Sequence, residues 1–260
     1  MLVLKDGTNL PGWRDFERAA AVAFNGQAQE NKAIFDVLLA GSDQKGLEIN
    51  YGISCKMRGT LNDTRRTGRV TIELSNSASK FWTHLQTAKG VTHDNWKQHP
   101  TDAGVGLIEL VEDWHRAESY EKSVDITSSS YLVLSWQVPT RGRGKQIGQN
   151  SPATYQLHRF SVTLPDPAML QWSFPSKRSG QQDVEAGRLV GRDQSGTVFE
   201  WYGESGGQLK YYPSVREATW QSDEFQLEPI SRTGIGLRNK VKLLFPQQWQ
   251  QVDTVEADLN

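Results

Sequence analysis

Two stretches decide how this chain is read: Ala33-Ile-Phe-Asp-Val-Leu-Leu-Ala40 and Gly52-Ile-Ser-Cys-Lys-Met-Arg58. The first is apolar on both faces of an extended chain, the pattern of a central strand buried on both sides, and it carries Asp36 in its middle. A carboxylate there needs compensation, because an unpaired buried charge is strongly disfavoured. A metal, a lysine or a donor network would supply it; a strand-end Asp that caps or salt-bridges locally is the alternative. The second stretch alternates Ile53, Cys55 and Met57 with Ser54, Lys56 and Arg58, so a period of two puts Lys56 on the face of Ser54 and Cys55 on the other. A lysine so placed is usually the solvent side of a half-buried sheet; what gives it weight is the order of a helix with Glu17, a strand with Asp36 and a strand with Ser54 and Lys56.

The flanking sequence supplies the rest of the architecture. Pro11-Gly12 followed by apolar positions 13, 16, 20, 23 and 24 predicts an amphipathic helix over Trp13 to Phe24, with Glu17 at the edge of its apolar face. Strands are expected at Ala33 to Ala40, Leu47 to Arg58 and Arg69 to Leu74. Ser75-Asn76-Ser77 then caps a helix through Lys80 to Thr87. Glu109 to Asp125 reads as a solvated helix. Beyond residue 125 the runs Tyr131 to Trp136, His158 to Leu164, Thr197 to Tyr202 and Lys240 to Phe245 are short, aromatic or β-branched, and punctuated by Gly and Pro. Trp201 to Tyr212, around Gly206-Gly207, reads as a hairpin with aromatic core residues. The expected fold class is α/β (mixed α+β): a central mixed sheet flanked by helices, with a β-rich second half. The division falls at residues 1–125 and 126–260, packed as one domain.

Composition narrows the function classes. The chain has 260 residues with 29 Lys and Arg against 30 Asp and Glu, a formal net charge of −1, which excludes a uniformly basic nucleic-acid binder. Charge is nevertheless unevenly spread. Lys56, Arg58, Arg65, Arg66 and Arg69 cluster with only Asp63 among them, and no acid lies between Asp125 and Asp166 while Arg141, Arg143, Lys145 and Arg159 do. The lone Cys55 cannot form an internal disulfide, and neither a leader pattern nor a membrane-length apolar run is seen, so a cytoplasmic protein is expected. No nucleophile elbow, phosphate-binding loop or dinucleotide fingerprint is present.

Phe16-Glu17, Phe35-Asp36-Val37 and Ile53-Ser54-Cys55-Lys56 together resemble the helix, Asp strand and (Asp/Glu)-x-Lys strand of the PD-(D/E)xK nuclease superfamily, which includes most type II restriction endonucleases. The resemblance spans roughly residues 13–87. Two positions depart from it: Phe35 stands where the family has Pro, and Ser54 where it usually has an acid. Some restriction enzymes of this superfamily carry Ser-x-Lys and recruit the missing carboxylate from a following element. Glu73 in Arg69-Val-Thr-Ile-Glu-Leu74 is that candidate, equally consistent with a helix-capping role. Glu48 is a weaker one, about 20 Å from Ser54 along an extended strand.

The resemblance implies a restriction-endonuclease-like core and a Mg²⁺-dependent, sequence-specific endonuclease acting on double-stranded DNA as a homodimer. Asp36 and Glu73 would hold Mg²⁺, Lys56 would orient or help deprotonate the attacking water, Ser54 would hydrogen-bond a bound water, and Glu17 would be aimed at the site from the helix. Arg58, Arg65, Arg66 and Arg69 would contact DNA. So would the Gly-rich Thr140 to Asn150 loop, whose Arg141, Arg143, Lys145, Gln146 and Asn150 are residue types that bind phosphates and read base edges. The alternatives are a nuclease of the same core acting in repair, on mobile elements or on RNA, and a noncatalytic β-rich binding protein in which Asp36 is structural.

Overall fold

A computed structural model describes residues 2–3, 9–10, 12–29, 34–42, 45–138, 140–141, 145–146, 153–179, 182–185 and 187–227. The chain divides into two units. The larger comprises Pro11–Gln137 and Thr154–Phe225; the smaller comprises Met1–Leu10, Val138–Ala153 and Gln226–Asn260. In the smaller unit two short antiparallel pairs are described, Leu2–Val3 with Asn9–Leu10 and Thr140–Arg141 with Lys145–Gln146. The Lys240 to Phe245 strand expected from the sequence lies outside the described residues.

The larger unit opens with helix α1 (Trp13–Ala23), which leads into β1 (Gln27–Ala28), β2 (Val37–Ser42) and β3 (Glu48–Arg58). Helix α2 (Leu61–Thr67), strand β4 (Ile72–Ser75), α3 (Ala78–His84) with a π turn over Leu85–Lys89, and the 23-residue α4 (Pro100–Lys122) follow. Next come β5 (Ser130–Gln137), β6 (Thr154–Ser161), β7 (Gln171–Ser173), β8 (Leu189–Asp193), β9 (Gly196–Tyr202), β10 (Gln208–Tyr211) and β11 (Trp220–Gln221).

Six strands of a seven-stranded sheet run in the order β11-β6-β5-β3-β2-β1, mixed because β3 and β5 are parallel while the other neighbours along this path are antiparallel. Parallel neighbours require a crossover, and the segment from α2 to α4 supplies it. The end of α4 is tied back to the start of β3: Asn50 Nδ2 donates to the Lys122 carbonyl at 2.7 Å and the Asn50 amide to the Ser123 carbonyl at 2.8 Å. The second sheet is antiparallel, in the order β7-β8-β9-β10-β4. Strands therefore interleave across residue 125: β5 and β6 complete the sheet of β2 and β3, and β4 completes the sheet of β7 to β10. The mixed α/β class read from the sequence is what the molecule has.

Three local expectations shift, each for a physical reason. The Asp36 segment is not a central strand: β2 begins only at Val37 and lies next to the two-residue β1, so its C-terminal half meets solvent. The buried centre is β3, where Gly52 through Cys55 are all buried. The solvated helix expected at Glu109 begins instead at Pro100, a favoured first helical residue, and buries Ala103, Gly104, Gly106, Leu107, Ile108 and Val111 against the core. Its approach is close enough that a Cβ on Gly104 would fall 2.1 Å from the Trp172 ring of β7. On α1, Phe16, Ala20 and Ala21 are buried, but Trp13 and Phe24, assigned to the apolar face, are 58% and 51% exposed. The β9–β10 hairpin with buried Trp201 and Tyr211 is as expected.

Candidate active site

The site is built where β2 begins. The Asp36 amide donates to the Ile53 carbonyl at 2.9 Å, and the Asp36 carboxylate Oδ2 accepts from the Cys55 amide at 2.7 Å. Strand pairing of Val37 with Ile53 enforces this juxtaposition of residues distant in sequence. Burial holds the Asp36 carboxyl above the ordinary aspartate range, while the Lys56 charge, the Cys55 amide and the neighbouring Ser54 hydroxyl pull the other way. Ser54 is 1% exposed, and its hydroxyl lies against the Asp36 carboxylate with no other partner among the described residues. Gly52, one step along the same face, is required by close approach: a Cβ there would stand 2.3 Å from the Phe35 ring. Phe35 thus fills, by packing, the position where the resembled family has Pro.

Ser54 and Lys56 open into a cleft of about 330 Å³ between β3, β5, the β4–α3 segment and α4. Tyr131 of β5 stands in parallel register with Ser54. From α4 come Trp114, His115 and Glu118; from the other side come Ser75, Ser77 and Lys80. His115 is 5% exposed, with Nε2 at 3.3 Å from the Tyr131 hydroxyl and its ring stacked near Phe35. Burial, reinforced by Lys56, pushes the imidazole down to about 4, so it is neutral at physiological pH. Glu118 is ion-paired with Lys122 at 2.9 Å. His115 and Tyr131 have no role in the reading from sequence. The signal was present: Ala103, Leu107, Val111 and His115 recur every fourth residue, a stripe that carries His115 to the buried side of α4.

None of the other predicted acids lines the cleft. Glu73 of β4 is ion-paired with Arg58, which continues the Ser54, Lys56 row of β3, and it pairs in register with Lys210. Glu17 acts electrostatically on the Cys55 thiol, which burial pushes up and which belongs to the opposite alternation of β3 from Lys56. Glu48 is exposed at the far start of β3. Among the described residues no three His, Cys, Asp or Glu side chains converge as a preformed metal cage. Asp36 does not itself line the cleft, whose carboxylates are Glu118 and Glu121, but it stands beside the lining residues Ser54 and Lys56 and offers one carboxylate with one hydroxyl next to it. That set fits a hard cation such as Mg²⁺, which keeps several waters and takes only one or two protein carboxylates together with substrate phosphate.

The arginines of the basic cluster are all matched by acids, three of them by acids outside the cluster. Arg65 makes a two-pronged contact with Glu224, Arg66 pairs with Asp63 at 2.7 Å, and Arg69 bonds the Tyr212 carbonyl and Ser195 beside Asp193. With Arg58 on Glu73, all four are charge-compensated, whereas counting along the chain finds only Asp63. Of the loop residues assigned to DNA, the backbone of Arg141, Lys145 and Gln146 forms the short pair given above. Their side chains, and Arg143 and Asn150 altogether, lie outside the described residues. Among the described residues no helix is long and apolar enough to cross a membrane.

The arrangement can bind an anionic group against Lys56, hold a cation on Asp36, and keep a neutral imidazole and a phenol behind them. Comparison of this chain with family models, with curated proteins and with solved structures gives no match, so it is the geometry of Asp36, Ser54 and Lys56 that bears on its activity.

Proposed function

We propose that this chain is a Mg²⁺-dependent, sequence-specific endonuclease of the PD-(D/E)xK type, hydrolysing phosphodiester bonds of double-stranded DNA in the manner of a type II restriction enzyme. The observation that carries the reading is the placing of Asp36, just before β2, against β3 beside Ser54 and Lys56, two residues that line an open cleft. A carboxylate and a lysine from separate strands need not converge in a structural protein, and burying Asp36 opposes its ionisation.

Asp36 would hold the metal, with the Ser54 hydroxyl positioned to bond a water next to it. Glu73 would join as a second carboxylate on leaving Arg58. The cation would neutralise charge developing on the scissile phosphate and lower the pKa of bound water. Lys56, half-buried beside Asp36, orients the attacking water and offsets phosphate charge. His115 and Tyr131 close the rear of the cleft and, both being neutral, add no charge next to Lys56. Restriction enzymes of this superfamily commonly act as dimers, and a homodimer belongs to the same reading.

The test is cleavage by purified Asp36→Asn and Lys56→Ala. Each is expected to lose activity by about a thousandfold or more while still retaining duplex DNA on a filter. Wild-type cleavage rates in either variant would overturn the assignment.

A further inference from the structure

We infer that Lys80 of α3 is a second phosphate-binding residue of this cleft, facing Lys56 across the path of a DNA strand; this rests on the nuclease reading above. Four observations meet here. Lys80 and Lys56 both line the cleft, with the hydroxyl residues Ser54, Ser75 and Ser77. Lys80 makes no ion pair among the described residues, and Lys56, although near the Asp36 charge, makes none either, in contrast to Arg58, Arg65, Arg66 and Arg69, each ion-paired with a carboxylate. Lys80 is exposed, and its Nζ stands 5.7 Å from the Trp114 ring centroid, a contact that sets the direction of a flexible side chain without neutralising it. Finally, the Ser54 hydroxyl on the cleft wall is 1% exposed and lies beside the Asp36 carboxylate, so a hydroxyl is set at the Lys56 end of the cleft.

The acids of the same cleft define what the ligand can be. Glu118 is already held by Lys122, and Glu121 is exposed on the next turn of α4. A densely charged anion filling the whole cleft would meet Glu121. A strand whose successive phosphates are spaced along the Lys56 and Lys80 side avoids it. Two cations against a chain of singly charged phosphodiesters is the match, and Lys80 would position the backbone while Lys56 serves the reacting group.

The experiment measures binding of a fluorescent, mixed-sequence 30-base-pair duplex in EDTA across a KCl series, for wild type, Lys80→Met, Lys80→Arg and Arg116→Ala. Methionine keeps an apolar stem on Trp114 while removing the charge, so the fold is retained. Loss of one phosphate contact should lower the magnitude of the log K against log salt slope by about 0.9, shrinking the affinity change between about 50 and 200 mM KCl roughly 3.5-fold. Lys80→Arg should restore the wild-type slope. Arg116→Ala, which removes an α4 cation that is paired with Asp113 and does not line the cleft, should leave it unchanged. A wild-type slope in Lys80→Met, or no duplex binding by the wild type, overturns the inference. Mg²⁺-dependent cleavage by the wild type is scored separately: if it is absent while Lys80→Met still flattens the slope, the nuclease reading fails and the phosphate site stands.

Discussion

His115 should make the protein acid-sensitive over a defined range. In the folded chain burial and Lys56 hold the imidazole at about 4, against 6.5 for the free side chain. As pH falls below the free value, the unfolded chain takes up a proton that the folded chain refuses. Stability contributed by the neutral ring is therefore complete above that value and is lost progressively until the folded group itself titrates. At 1.36 kcal/mol per pH unit, the interval corresponds to about 3 kcal/mol, a large part of a typical domain's stability. The assay is urea unfolding followed by tryptophan fluorescence at a series of values from about pH 7 to about pH 4, for wild type and His115→Gln. The carboxylates titrate in both proteins and cancel in the difference. Whatever the offset at neutral pH, wild type should lose about 3 kcal/mol more than the variant across this window. Parallel stability curves would refute the reasoning and mean that the folded protein accommodates a protonated His115 beside Lys56.

Asp36 works with the opposite sign. Burial raises its carboxyl, so ionisation costs stability as pH rises through the folded value, and Asp36→Asn should melt higher than wild type near neutrality, with the gain vanishing in acid; an unchanged or lower melting temperature near neutrality would contradict this. Gly52→Ala drives a methyl into the Phe35 ring and should cost about 1–3 kcal/mol in urea unfolding, whereas a change below about 0.5 kcal/mol would mean Phe35 moves freely. Glu73→Gln should raise the Mg²⁺ concentration needed for cleavage at least about tenfold; an unchanged Mg²⁺ titration would assign Glu73 to Arg58 alone.

What was legible in the sequence was local. The alternation of Ile53, Cys55 and Met57 with Ser54 and Lys56 fixed which side chains share a face of β3, and the pairing with β2 delivers Asp36 to them. Helix α4 was misread because its apolar stripe starts at Ala103, upstream of the acids that dominate its second half, and small residues such as Gly104 and Gly106 signal close packing more than helix. The arginine cluster was misjudged for a different reason: Glu224, Asp193 and Glu73 reach it through strand pairing and chain return, which no window around residues 58–69 contains. His115 and Lys80 were missed alike, since their significance depends on two helices facing the same strand.

The most direct test of the central proposal is digestion of a mixed DNA substrate by the purified wild-type chain, with Mg²⁺ or with EDTA, followed by sequencing of the ends. Discrete fragments sharing one end sequence with Mg²⁺, none with EDTA, and none with Asp36→Asn are the predicted result. Intact DNA under Mg²⁺, or cleavage that persists in EDTA or in Asp36→Asn, would contradict it.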